Sequence, residues 1–392
     1  MKKILLFCTF VAVPYICCSQ EIDTVMSRIE RNNLELQALR ESNKASMLEI
    51  KAENNIQQDL SVSYSPFFSN GVRGVASSEF VASLGFDFPT QYAARKKWGD
   101  YRSEEIGRQY LLQRRDILLE AKKLCLEIIR LDAEKEILDT RLENADELLA
   151  LVEKKFEEGG AGILEMNKVK MERMTIRTLA AQNSASRRSA IQNLEALNGG
   201  ISLEIAASME YPVLPALPDF DAFCKHIAES DLSVLSAGAS VEATAQEIKV
   251  NRQNWLPKLE VGYRRNTSLN EASDGFIVGI SVPLFSGKNK VKIAKARHTA
   301  AIAGLENARL QSINEMRSSY FEMTELAQAL EEYDLPLMLN TLEALKKAVT
   351  AGQISIMDYY MEADNIFNSL ADYIGIENRY QVLMAELFRN EL

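Results

Sequence analysis

The sequence has little that breaks a helix and little that performs chemistry. Nine prolines and eighteen glycines in 392 residues are few, and their scarcity predicts long uninterrupted helices. Only two histidines are present, His226 and His298, in different halves of the chain. Cys224 lies two residues before His226, but no second Cys/His pair exists to complete a zinc site. The histidines read as surface residues. No phosphate-cradling glycine loop and no nucleophile elbow occurs. These absences exclude the usual enzyme classes, so no catalytic residue, metal ligand or cofactor is expected. After the first nineteen residues no run of 18 apolar residues appears, so no transmembrane helix is predicted. The charge is acidic, which argues against a nucleic-acid partner.

Residues 1–19 read as a secretory leader. Lys2 and Lys3 precede the apolar run Ile4 to Val13, which Pro14 ends. Cys17 and Ser19 are small residues where a signal peptidase reads, which places cleavage before Gln20. Cys17 or Cys18 as a lipidation site is the alternative. Without the leader the balance is 43 basic against 55 acidic residues, net −12. Of five cysteines only Cys125 and Cys224 remain. Cys125 sits in a helical apolar stripe and reads as core.

The chain is written twice. Glu49-Ile50-Lys51 recurs as Glu247-Ile248-Lys249, and Leu60, Val62 and Tyr64 recur as Leu259, Val261 and Tyr263. Gly159, Ile163 and Glu165 correspond to Gly352, Ile356 and Asp358. Each half reads helix, strand, turn, strand, long helix, short break, helix. The long helices are predicted from about Ala93 to Glu157 and from about Lys288 to Val349, the latter with only Gly304 and Pro336 as breakers. In the first, Ile117, Ala121, Leu124, Ile128, Leu131 and Leu138 form one stripe, which Leu118 and Cys125 widen. More than sixty residues give each roughly 90 Å at 1.5 Å per residue, a length suited to coiled coils or tube walls. Each ends at a glycine turn, Gly159-Gly160-Ala161-Gly162 and Gly352-Gln353, and a return helix follows, near Leu164 to Leu197 and Ile356 to Arg389. The expected layout is a leader at 1–19, a first repeat at 20–200, a Pro-rich linker at 201–220 and a second repeat at 221–392.

Four strands are predicted: Leu60 to Phe67, Glu79 to Phe88, Lys258 to Asn266 and Gly275 to Leu284. One face carries Leu84 and Phe86, Val261 and Tyr263, Val278 and Ile280. The other is small or polar and includes Asp87, Glu260 and Arg264. A soluble sandwich and a membrane barrel both produce this period. The lengths suit a bilayer crossing, Tyr64, Phe67, Phe68, Phe88, Tyr92, Tyr263, Phe276 and Phe285 cluster near strand ends, and no ordinary helix lies between the strands to cover the apolar face. Four strands cannot close around a channel, so identical copies must supply the rest. The rival reading is a non-channel periplasmic coiled-coil adaptor or envelope spacer.

Trp255-Leu256-Pro257-Lys258-Leu259-Glu260-Val261-Gly262-Tyr263 resembles the helix-to-strand junction of the TolC family of outer-membrane efflux proteins. Ile280-Ser281-Val282-Pro283-Leu284-Phe285-Ser286-Gly287 is similar to the family's strand-to-helix junction, with Phe86-Asp87-Phe88-Pro89 as the first-half copy, and Leu197-Asn198-Gly199-Gly200 resembles its mid-chain stop. The resemblance covers essentially the whole mature chain. It implies a mostly α protein with membrane β: long helical hairpins forming a trimeric α-barrel tunnel, and four strands per chain in a shared twelve-stranded outer-membrane β-barrel. It implies a homotrimer in the bacterial outer membrane whose tunnel enters the periplasm. Such a passive exit duct works with a periplasmic adaptor and an inner-membrane pump in efflux or type I secretion. Adaptor docking then falls at the turns: Gly159, Gly160, Gly162, Gly352 and Gln353. Acids near the turns, Glu165, Asp358, Glu362 and Asp364, become candidates for a pore gate. Glu362-Ala363 best fits the family's acid-alanine pair; its second acid would fall at Tyr359, with Asp358 beside it.

Overall fold

The structure is a computed structural model that describes residues 19–54, 59–71, 73–205, 209–214, 219–220, 230–268, 271–282 and 289–392. The expected leader, the lipidation candidates, Cys224, His226 and the 283–288 junction lie outside the described residues. The elements in chain order are α1 (Ser19–Asn32), α2 (Leu34–Asn54), β1 (Asp59–Phe67), β2 (Ser77–Phe86), α3 (Pro89–Glu157), α4 (Ile163–Leu197), α5 (Leu232–Gln253), β3 (Lys258–Ser268), β4 (Ala272–Ser281), α6 (Lys290–Glu331), α7 (Leu335–Thr350) and α8 (Ile356–Leu387). A short 3₁₀ turn at Arg389–Glu391 follows. Helix, two strands, long helix and return helix thus occur twice.

Two compact units emerge, and each draws on both halves of the sequence. One comprises residues up to Gln37, Arg114–Phe223 and Glu315–Leu392; the other comprises Ala38–Gln113 and Cys224–Asn314. Neither unit coincides with one of the expected repeats at 20–200 and 221–392. Long antiparallel hairpins cause this, because each limb packs against the limbs of the other repeat.

In the first unit the burial follows the predicted stripe. Ile117, Leu118, Ala121, Cys125, Ile128, Leu131 and Leu138 are buried and Leu124 is half-buried, as a 3.6-residue period requires of a helix facing a core. Burial pushes the Cys125 thiol up to about 12, so it stays a packed, protonated thiol. On α1, Ile22, Val25, Met26 and Ile29 bury the matching stripe. Asn33 separates α1 from α2: its Oδ1 accepts from the Leu36 amide at 2.8 Å, and its Nδ2 donates to the Leu197 carbonyl at 2.9 Å. The end of α4 is fastened there.

Three helix ends share one solution. At the first hairpin turn the Gly160 amide reaches the Lys155 carbonyl and Gly159 the Phe156 carbonyl; at the second, Gln353 reaches Ala348 and Gly352 reaches Val349; at the mid-chain stop, Gly200 reaches Glu195 and Gly199 reaches Ala196. Paired bonds of this kind, with the penultimate residue left-handed, form a Schellman cap. Gly159, Gly352 and Gly199 have φ of 77°, 73° and 70°, a region that glycine enters without a Cβ penalty.

The two repeats differ in one respect. α3 runs unbroken for 69 residues, whereas the stretch predicted as one helix from Lys288 to Val349 is two, α6 and α7. Pro336 cannot donate to the preceding turn. The Asp334 carboxylate then caps α7 by accepting from the Leu337 amide at 2.9 Å.

The second unit holds a single antiparallel sheet in the order β1-β2-β3-β4. The strands begin or end one to three residues from the predicted limits, and β2 and β4 stop short of Phe88 and Leu284. Pro89 opens α3 at its first helical position, where a missing amide costs nothing.

Candidate functional site: the sheet face and the hairpin ends

The strand register assembles the apolar residues into rows. Leu60 pairs with Leu84, Leu84 with Val261, and Val261 with Val278. Val62, Ala82, Tyr263 and Phe276 make the next row, and Phe86, Leu259 and Ile280 the one on the other side. Side chains directly opposite share a face, so four strands from both repeats present one continuous apolar surface. It is not a core. Phe276 is 92% exposed, Val278 83%, Ile280 67% and Leu60 65%, while Val261 and Tyr263 are also exposed. Leu84 and Phe86, on the inner strand β2, are half-buried. A face of this extent in water would be unusual for a soluble protein. Among the described residues no helix is long and apolar enough to cross a membrane.

The opposite face is small and polar. Ser61, Ser83 and Gly262 align, as do Gly85, Glu260 and Gly279; Phe67, Val81 and Ile277 are its exceptions. Gly262 is required there, because a Cβ would lie 2.7 Å from the Ala82 carbonyl oxygen and the Ser83 Cβ. Arg264 pairs with Glu79 across the strands. Asp87, expected as an open acid on this face, lies beyond the end of β2 and is buried. Arg95 holds it at 2.6 Å, and its amide donates to the Tyr92 hydroxyl at 2.9 Å. Tyr92 thus fastens the strand-to-helix junction. Gln91 from this junction donates to the Gln253 carbonyl at 2.8 Å, fastening the start of α3 to the end of α5.

The hairpin ends, in the first unit, have their own core. Leu148, Val152 and Val169 from the first hairpin pack with Val349, Ile356, Tyr359, Tyr360, Ala363 and Phe367 from the second. Burial drives the Tyr359 hydroxyl up to about 12 and raises that of Tyr360 as well. The expected acids fall into three kinds of environment. Glu165 accepts from the Gly162 amide at 3.0 Å, so it closes the start of α4. Asp358 accepts from the Ser355 hydroxyl at 2.7 Å while its amide donates back at 3.1 Å, a reciprocal capping box. Asp364 meets Arg141 at 2.6 Å. Glu362 is exposed and has no hydrogen bond or ion pair among the described residues. The turn residues Gly159, Gly160, Gly162, Gly352 and Gln353 are all exposed.

Sequence reasoning missed the partner of Asp364. Arg141 on α3 binds Glu172 on α4 at 2.5 Å and Asp364 on α8 at 2.6 Å, and its guanidinium lies 5.2 Å from the centre of the Phe367 ring. Burial first, then Glu172, raises the Asp364 carboxyl above its ordinary range; Arg141 and Lys168 act against that shift. A signal existed. Leu138, Arg141, Ala145 and Leu148 follow a three-four spacing, as do Val169, Glu172 and Ile176, so each helix places a charge in a core slot.

Residues 225–389 match the outer membrane efflux protein family. The match lies on the second repeat; likeness of fold extends over both. A membrane protein from Pseudomonas aeruginosa is similar over 94% of this chain and 93% of its own, with a TM-score of 0.79 at 15% identity. CusC is similar over 95% and 92%, with a TM-score of 0.77 at 16% identity. The outer membrane protein VceC from Vibrio cholerae is similar over 95% and 96%, with a TM-score of 0.74 at 15% identity. No curated protein sequence matches the chain.

Proposed function

We propose that three copies of this chain form a passive exit duct, twelve strands closing a barrel in the outer membrane and twelve helical rods walling a tunnel in the periplasm. The exposed apolar face of the sheet carries this reading. Lipid suits that face, and the sheet's outer strands β1 and β4 each have one side unpaired within the chain. In hydrocarbon an unpaired strand edge costs several kcal/mol per group, so the sheet must close, and four strands are too few to surround a channel. The small polar face then lines the lumen, with Leu84, Phe86, Val261, Tyr263, Val278 and Ile280 against acyl chains. The hairpin turns, with Gly159, Gly160, Gly162, Gly352 and Gln353, form the docking surface for a periplasmic adaptor that couples the duct to an inner-membrane pump. The energy for transport comes from that pump.

Glu362 is the gate acid in this proposal. Glu165 and Asp358 are committed to capping and Asp364 to Arg141, whereas Glu362 is free to face a pore, where a trimer would present it three times and favour cations. Single-channel recording in planar bilayers tests this. The wild type should conduct with cation preference, Glu362→Ala should lose much of that preference, and Asp358→Ala should keep it. Equal selectivity in wild type and Glu362→Ala removes Glu362 from the gate, and absence of any conducting unit removes the duct.

A further inference from the structure

The geometry points to Arg265 as an anchor for the phosphate group of an outer-leaflet lipid. The inference rests on the reading that the apolar face of the sheet meets acyl chains, and it adds what that face holds at its edge. Three rows on the face are apolar without interruption. In the fourth, Tyr64 pairs with Phe80, Phe80 with Arg265 and Arg265 with Asp274; the fifth row is Pro66, Ser78, Thr267 and Ala272. Charge therefore enters this face at one height, between hydrocarbon-like rows and a small, hydroxyl-bearing rim. Three steps of two residues put Arg265 roughly 20 Å along the strands from the Ile280 row, most of the height of an apolar belt. The helices join the sheet at its other end, so the Arg265 row lies on the loop side, which the duct reading places toward the exterior.

The guanidinium is half exposed there and only loosely held by its row neighbours. Arg265 Nε stands 3.9 Å from Asp274 Oδ1, too far for a hydrogen bond, and that same carboxylate oxygen accepts from the Tyr263 hydroxyl. The Tyr263 hydroxyl is a further hydrogen-bond partner of Arg265 on this face, and the Arg265 side chain stays half exposed. Arg264, its neighbour in sequence, is on the polar face and paired with Glu79. Arginine's planar fork suits a phosphate bidentately, and its apolar stem can lie along the belt while the head reaches the headgroups. Tyr64 on the same row adds an exposed amphipathic ring at that level. The chain is acidic overall, so a guanidinium on the apolar face at the belt's edge is a local exception. The anion available at that height on an acyl-covered face is the one borne by the lipid itself.

The test uses the mature protein reconstituted into vesicles of phosphatidylcholine, alone or mixed with phosphatidic acid or a phosphorylated glycolipid. Mild detergent extraction follows, and the lipid retained per trimer is measured by mass spectrometry. The wild type should retain phosphate-monoester lipid several-fold over phosphatidylcholine. Arg265→Gln should lose that enrichment, Arg265→Lys should keep part of it, and Arg264→Gln should match the wild type because it changes the other face. Inorganic phosphate added during extraction should leave the enrichment in place; if it abolishes it, the site takes free anion and the lipid assignment is wrong. Inserted wild type without enrichment, or Arg265→Gln retaining as much as wild type, overturns the inference while leaving the duct intact. Wild type that fails to insert overturns both.

Discussion

At the scale of single residues, the account depends on a few positions where only one side chain fits. Gly199 has φ of 70°, and a Cβ there would lie 2.5 Å from the Asn32 carbonyl oxygen. A left-handed conformation costs a non-glycine residue about 1–2 kcal/mol, and the clash adds to that. Gly199→Ala should therefore lower the thermal midpoint of the purified protein, while Gly107→Ala, in an open helical position, should leave it unchanged or raise it. A fall of equal size in both variants would contradict the local explanation. Cys125 gives a second check. Buried, and with its thiol pushed up to about 12, it should not react with maleimide in the folded protein. Wild type and Cys125→Ala should label equally when folded, and on unfolding wild type should take up one label more than Cys125→Ala.

At the scale of elements, the Arg141 network ties α3 and α4 of one hairpin to α8 of the other. Removing one partner of a buried pair strands the other, at a cost of about 3–5 kcal/mol. Arg141→Met should destabilise strongly, and Arg141→Met with Glu172→Met should recover much of the loss. Asp364 titrates in the opposite sense to a simple salt bridge. Its carboxyl is raised in the fold, so its contribution is present in acid and is lost as pH rises through the folded value. Asp364→Asn should be at least as stable as wild type at neutral pH, with the difference shrinking as pH falls through the folded value toward the ordinary carboxylate value. Denaturant midpoints across that range give the answer; a variant weakened only at neutral pH would show the ion pair outweighing burial. The elements themselves were legible in the sequence because period carries the signal. The stripe of α3 needs a 3.6-residue repeat, and β1 to β4 need strict alternation. The break before α7 was underestimated, since Pro336 alone could also have been a kink; the Asp334 cap makes it a boundary. Asp87 was misplaced because alternation continues past the last hydrogen-bonded residue of β2, and nothing local announces where pairing stops.

At the scale of the whole molecule, pairing between repeats was not written in either one. The adjacency of β2 and β3, which makes one four-stranded sheet from two strand pairs, follows from a contact distant in sequence. So does the joining of both hairpins around Tyr359 and Arg141. The candidate site was legible where it depended on residue type, as in the greasy sides of the strands and the glycine turns. It was not legible for the acids, because capping by Asp358 and pairing by Asp364 are matters of geometry that leave Glu362 as the uncommitted one. The central claim is that identical chains complete one cylinder in lipid. The most direct measurement is the mass of the purified mature protein, in detergent and after detergent removal, by light scattering with refractive-index correction. The account predicts a three-chain particle in detergent that aggregates or inserts into vesicles once detergent is withdrawn. A single-chain particle that stays dispersed in plain buffer would contradict it.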